Sequence, residues 1–361
     1  MTVMAAEAAP EISRGEFRGN ASEYFGIWIV NILLTIVTFG IYSAWAKVRR
    51  KRYFYGNTYL ANDSFDYHAT GKQIFIGRLI VFVVLAIINV LSTIFPLAGI
   101  VTPILFLTIL PWFVVRSLRF NARVTSYRNI RFDFTGKAWG AFVAIVLGSL
   151  VSFLSLGILA PLASRWANRY IFNHLRYGDR SFASDPHLGK LYGAWFAPAI
   201  MVFIGLLLMA IVGWLLLWPM FMDFAANIDD GTEQTRIVIG VALIYAILIP
   251  VVLVYLAAGF IYRVGVRNVV LNATRFDTAH ELVSDLSRLR YLWIMISNLV
   301  VTVVTFSLMR PWAAVREQRY VVAHTGIRID GDIGEVMASI EASGSAISAE
   351  YMDMEGFDFG F

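Results

Sequence analysis

The chain has 361 residues, 58% of them apolar and 15% charged, with a formal net charge of +5 and no cysteine. Soluble domains carry about a quarter charged residues, so this composition leaves too little polar surface for a water-soluble protein of this length. The lack of cysteine removes disulfides, thiolate metal sites and cysteine nucleophiles.

Residues 1–14 have no apolar core and carry Glu7 and Glu11, unlike a cleavable signal peptide. They are expected to form a disordered tail. Seven stretches then lack any charged residue or histidine: 24–46, 79–95, 96–115, 138–164, 191–222, 237–262 and 291–309. Most approach the length needed for a bilayer core of about 30 Å. The expected fold is a polytopic all-α membrane bundle of about seven hydrophobic segments, some of them re-entrant, with short interfacial β-hairpins. The first, fourth and seventh stretches stand alone. The second pairs with the third, and the fifth with the sixth.

The polar segments between the stretches resemble one another. A shift of 67 carries Trp45 to Trp112, Arg49 to Arg116, Arg52 to Arg119 and Phe65 to Phe132. A shift of 117 carries Arg52 to Arg169, and a shift of 267 carries Trp45, Arg49 and Arg52 to Trp312, Arg316 and Arg319. Arg263 and Arg267 mark a weaker copy. Self-similarity of this kind signals internal repeats. The expected division is a first unit over 15–131, a second over 132–281, a half unit over 282–331 and an acidic disordered tail over 332–361. Each polar segment opens on an arginine-bearing helix end and continues with Tyr, Phe, Thr and branched residues around Asn-Asp, Arg-Asn or Gly-Asp. That pattern predicts strands joined by tight turns, several of which could pair into a small sheet.

Orientation raises a conflict. Lys and Arg near span ends mark the cytoplasmic side, and every polar segment is basic, whereas the loop holding Asp223, Asp229, Asp230 and Glu233 is acidic. A single crossing between two basic segments would put them on opposite faces. Either successive units are inverted, or the single segments dip in and return, breaking at Thr38-Phe39-Gly40 and Ser155-Leu156-Gly157. The charge pattern favours the second.

The run from Thr38 to Tyr53 has the form T-x-G-I-Y-x-x-W-x-K-V-R-x-x-R-Y, and with its flanks it resembles the signature of the YjgN family. The likeness extends from about Gly15 to Ile333. It implies a multi-pass protein of the bacterial inner membrane and carries no mechanism, since the family's function is unknown. The last copy, Thr305 to Met309, lacks the glycine, which puts a bend there in question.

Two sets of residues are candidates for function. Asn31, Thr35 and Thr38, with Ser152, Ser155, Asn298, Thr302 and Thr305, form polar stripes at helical spacing. They could line a polar path, although interhelical hydrogen bonding is the plainer reading. Trp45, Arg49, Arg52, Trp112, Arg116, Arg119, Arg165, Arg169, Arg263, Arg267, Trp312, Arg316 and Arg319 lie past segment ends, where anchoring at headgroups is the plainer reading. The sharper one is a set of cationic sites for anionic lipid or phosphate. His68, His174, His187, His280 and His324 are scattered without metal-ligand spacing, so no metal site is expected. No cofactor, no nucleic-acid partner and no catalytic constellation is expected either. The segments hold no internal charge of the kind ion-coupled carriers use. The functional expectation is passive transport or binding of a small or lipidic ligand, with a membrane scaffold whose basic hairpins bind anionic lipid or a protein as the alternative.

Overall fold

The computed structural model describes residues 12–95, 98–226, 233–277 and 279–329, and the single position 338. The acidic tail, the first eleven residues of the N-terminal tail, and Asp229 and Asp230 lie outside the described residues. In chain order the elements are β1 (Ile12–Arg14), β2 (Glu16–Phe17), α1 (Ala21–Val37), α2 (Ser43–Gly56), β3 (Thr58–Leu60), β4 (Asp63–Tyr67), α3 (Gly71–Ile94), α4 (Ala98–Arg123), β5 (Thr125–Tyr127) and β6 (Ile130–Phe134). Next come α5 (Ala138–Ala141), a π-helical stretch (Phe142–Leu147), α6 (Gly148–Leu154), α7 (Ala160–Asn173), β7 (Leu175–Tyr177) and β8 (Arg180–Ser184). The remainder is α8 (Leu188–Val212), a second π-helical stretch (Gly213–Leu217), α9 (Trp218–Ala226), α10 (Glu233–Leu271), β9 (Thr274–Phe276), β10 (His280–Ser284), α11 (Arg288–Val304), α12 (Arg310–Ala323) and β11 (Thr325–Arg328).

The seven-span all-α bundle is not what forms. All eleven strands join one antiparallel sheet, in the order β1-β11-β10-β9-β8-β7-β6-β5-β4-β3-β2. Because β1 and β2 are consecutive in the chain, the sheet curls into a nearly closed ring. Its hairpins follow one register: Tyr67 faces Thr125, Phe134 faces Leu175, Ser184 faces Thr274, Ser284 faces Thr325 and Phe17 faces Thr58. Four hairpins are local. The fifth is assembled from the two ends of the chain, β11 and β1. At that join a side chain on Gly326 would meet the Ser13 carbonyl oxygen at 2.4 Å, so only glycine lets the two backbones approach this closely.

Local chemistry explains the hairpins. Ala61-Asn62 and Arg128-Asn129 take positive φ (47° and 68°, 46° and 63°), the geometry of two-residue turns that match the twist of paired strands. Inside the ring, Tyr127, Ile130, Tyr177, Phe276, Ile327 and Ile329 are buried, with Leu60, Phe65, Phe132, Phe182 and Leu282 packed against them. The tyrosines also tie neighbouring hairpins together: Tyr127 Oη donates to the Leu60 carbonyl at 2.6 Å, and Tyr177 Oη to the Tyr127 carbonyl at 2.9 Å. The ring is therefore a filled plug, not a pore. Near-closure leaves only the short β1 and β2 with an unpaired edge, which limits what the sheet exposes.

One sheet cannot lie on two sides of a membrane, so every hairpin shares a face and inverted units are excluded. The single segments are helical hairpins: α1 returns through α2, α5–α6 through α7, and α11 through α12. Seventeen residues of α1 rise about 25 Å, less than the thickness of the bilayer core. The tips turn at Phe39-Gly40 (φ 50° and 90°) and Leu156-Gly157 (52° and 86°). The third also turns, although its glycine is lost, because Ser307 accepts φ 69° after Phe306 at 49°. At each tip an amide reaches back five residues, Gly40 to Thr35, Gly157 to Ser152 and Ser307 to Thr302, which satisfies carbonyls freed by the break. Phe39, Leu156 and Phe306 are 98%, 92% and 92% exposed. Among the described residues nothing covers these apolar tips, as suits segments that dip into a bilayer. Among the described residues three helices are long and apolar enough to cross a membrane: Gly71–Ile94, Leu188–Leu216 and Gly240–Leu271. Capping fixes where helices leave the sheet. Thr70 and Gln73 form a reciprocal capping box at the start of α3, and the Asn20 side chain accepts from the Ser22 amide at 3.0 Å at the start of α1.

A cationic chamber above the strand ring

Most of the basic residues singled out in the sequence are consumed by the fold. Arg52 donates to the carbonyls of Tyr67 and Ala69, both at 3.2 Å, and Arg119 to those of Phe134 and Gly136, both at 3.1 Å. Arg319 reaches the Gly19 carbonyl at 3.1 Å, and Asn268 takes the same part at Leu286 (2.9 Å). These side chains clamp the strand-to-helix turns. Arg165 and Arg169 both pair with Asp185, at 3.0 and 3.4 Å. Arg49, Arg116 and Arg316 sit over Tyr42, Trp112 and Trp312 at 5.9, 5.7 and 5.1 Å from the ring centroids. Trp45 packs against the backbone of Gly71, where a Cβ would meet its ring at 2.3 Å.

Most members of the polar stripes make hydrogen bonds within the fold. Thr38 and Thr305 hydroxyls donate to carbonyls four residues back (2.7 and 2.6 Å) and accept from amides four residues on, Tyr42 at 2.9 Å and Met309 at 3.1 Å. Ser155 accepts from the Leu159 amide at 3.0 Å, and Thr35 donates to the Asn31 carbonyl at 2.6 Å. Asn31 and Asn298 are buried. Asn298 bridges α11 to α12 through the Ala313 carbonyl at 3.0 Å and accepts from Arg316 at 3.2 Å. Ser152 lines a cavity.

Arg263 and Arg267 are placed differently. They line a cavity of about 500 Å³ bordered by α7, α10, α11 and α12, with Ser164, Asn168, Tyr291, Glu317 and Gln318. A second cavity, about 540 Å³, lies beside α2 and is lined by Lys47, Arg50, Lys51, Phe54, Tyr55 and Phe65. Gln318 borders both, so the two cavities flank the same side chain of α12 and together are called the chamber. Phe65 belongs to the packed plug, which makes the aromatic core the floor. Both volumes fall in the range of ordinary ligand sites.

Five cations face this space and one carboxylate. Lys51 donates to Asn121 Oδ1 at 2.8 Å, and Arg267 to Thr325 Oγ1 at 2.7 Å. Glu317 is held by the Tyr291 hydroxyl at 2.7 Å. Burial, with Glu317 alongside, keeps that phenol well above its ordinary pKa. Burial pushes the Lys51 ammonium down to about 8, and Lys47 and Arg50 add repulsion. Lys47 is lowered too, by burial and by Arg78. Crowded, partly desolvated cations of this kind gain from an anion more than solvated ones do. Sequence spacing had pointed to Arg263 and Arg267 and missed Lys47, Arg50, Lys51, Asn168 and Gln318. The run Lys47-Val48-Arg49-Arg50-Lys51-Arg52 was visible, but which of its charges turn inward depends on helix phase within the ring.

A strand ring on one membrane face, carrying helical hairpins that dip into or cross the bilayer, defines a multi-pass integral membrane protein with an interfacial chamber. The chain belongs to the family described as bacterial protein of unknown function (DUF898), which matches residues 13–354. It is similar to the inner membrane protein YjgN of Salmonella typhimurium strain LT2, with 27% identity covering 88% of each chain. It is also similar to YjgN of Escherichia coli K12, with 37% identity over 41% of this chain and 39% of that protein. The protein is located in the bacterial inner membrane. No solved structure matches the chain.

Proposed function

We propose that this protein binds a phosphate-bearing anion in the chamber above the strand ring, without chemical conversion, and that it is built from five copies of one helix-and-hairpin module. The observation that supports binding is the charge of the chamber. Lys47, Arg50, Lys51, Arg263 and Arg267 face it, and none forms an ion pair among the described residues. Passive transport straight through the ring has less support, since the plug of Tyr127, Tyr177 and Phe276 fills the path.

The test uses full-length protein in zwitterionic nanodiscs, titrated with glycerol phosphate and followed by thermal shift. Wild type should be stabilised in a saturable way, and Lys51→Gln combined with Arg263→Gln should bind at least about tenfold more weakly, roughly 1.4 kcal/mol. Equal binding by the two proteins would remove the chamber as the site.

A further inference from the structure

The chamber has a side door. A third cavity, about 670 Å³, runs along the second short hairpin and is lined by Ile145, Ser149, Ser152, Phe153, Leu156 and Tyr255 among others. Its inner end shares Ser164, Asn168 and Tyr262 with the cationic chamber. There the Ser164 and Tyr262 hydroxyls are hydrogen-bonded at 2.8 Å, and Asn168 Nδ2 donates to the Ser164 carbonyl at 2.7 Å. Its outer end reaches Leu156, the fully exposed hairpin tip, so the groove opens toward the bilayer interior.

The helix wall of this groove is unusual. Of the three short hairpins only this one carries a π-helical stretch in its inward arm, Phe142–Leu147, whereas α1 and α11 are regular throughout. Two of the groove's lining residues, Ala144 and Ile145, belong to it. Such widened turns recur at functional sites. Here the wider turn lies along the wall that an occupant would touch.

An apolar channel open to the bilayer, joined through a few hydroxyls to a pocket with a surplus of cations, has the polarity profile of one ligand class. Resting on the anion-binding reading above, we infer that the ligand is an anionic phospholipid. Its phosphate enters the chamber near Arg263 and Arg267 while an acyl chain lies in the groove between the π-helical arm and α10. Entry is lateral, past the Ser164–Tyr262 pair. Water-soluble phosphates would use the chamber and leave the groove empty.

The experiment compares dioleoylphosphatidylglycerol with its soluble counterpart, glycerol phosphate, on the full chain in detergent. Native mass spectrometry reads retained lipid, and thermal shift reads the soluble anion. Ser149→Phe and, separately, Ala160→Leu narrow the groove, and Ser149→Ala is the steric control. The expected result is lipid retention lowered about tenfold or more by either blocking variant and unchanged by Ser149→Ala, with glycerol phosphate binding unaffected by all three. Lipid retention equal to wild type in a folded blocking variant would overturn the inference, as would glycerol phosphate binding as tightly as the lipid. Loss of both ligands in the Lys51→Gln/Arg263→Gln protein, with the groove variants behaving as wild type, would leave an anion chamber without a lipid groove. Binding of both by that double variant would sink the chamber itself.

Discussion

The rim of the strand ring and the chamber above it are equally rich in basic residues, but they spend them differently. On the rim, arginine meets carboxylate: Arg14 with Asp285 at 2.8 Å, Arg123 with Asp133 at 2.9 Å, Arg180 with Asp277 at 2.7 Å, Arg328 with Glu281 at 3.0 Å, and Arg128 with Asp63. In the chamber the cations form no ion pair among the described residues, and the carboxylate that lines it, Glu317, is engaged by a tyrosine. The rim's charges are complete within the fold. Those of the chamber meet no carboxylate in an ion pair among the described residues. The contrast teaches that a count of arginines near membrane ends says little until each one's partner is known.

The comparison can be broken first through the plug both regions share. Phe276 is 3% exposed in the centre of the ring, and Phe276→Ala should cost about 3–5 kcal/mol, read as a lower unfolding temperature. A small change would mean that the aromatic core does not hold the ring together.

The chamber can be separated from the rim by pH. With Lys51 near 8, its charge is present at pH 7 and largely gone at pH 9, so anion affinity should fall across that window and Lys51→Gln should flatten the profile. The stability of the unliganded protein should move the other way. A lysine whose folded pKa lies below its unfolded value binds protons more readily when unfolded, so stability rises with pH between about 8 and 10.5. An anion affinity that holds constant from pH 7 to 9 would take Lys51 out of the site.

The smallest effect belongs to the rim. Arg14 holds the Asp285 carboxyl below its usual pKa, but both side chains are about half exposed, so Asp285→Asn should cost no more than about 1 kcal/mol. Any loss appears above the ordinary carboxylate pKa and disappears as pH falls through the depressed one. Anion binding should stay as in wild type. A weakening there would show that rim and chamber are coupled.

Much of the local structure could be read in advance. Alternation and turn residues announced the hairpins, and Thr38-Phe39-Gly40 announced a break, because backbone preferences act within a few residues. The third bend was obscured because a serine replaced the glycine, and the surrounding helix seam imposes the left-handed turn regardless. The number of full spans was overread. Charge-free runs such as 138–164 are long enough to suggest a crossing, and hydropathy alone does not separate a crossing from the return that Ser155-Leu156-Gly157 suggested. Arg263 and Arg267 could be read as basic residues past a segment end, but that they line a cavity while Arg52 and Arg119 clamp backbone carbonyls could not.

By itself, then, the sequence determined a membrane protein, basic on the face that bears its hairpins, with strands at each basic segment, since hydropathy and turn chemistry are properties of short windows. Only the tertiary structure decided that the two chain ends complete one ring, that this ring places all the hairpins on one side, and that Lys47, Arg50, Lys51, Arg263 and Arg267 line neighbouring cavities with no ion pair among the described residues. Strand order and inward-facing charge depend on residues tens to hundreds of positions apart, as in the pairing of Arg14 with Gly326, and no local pattern encodes that distance.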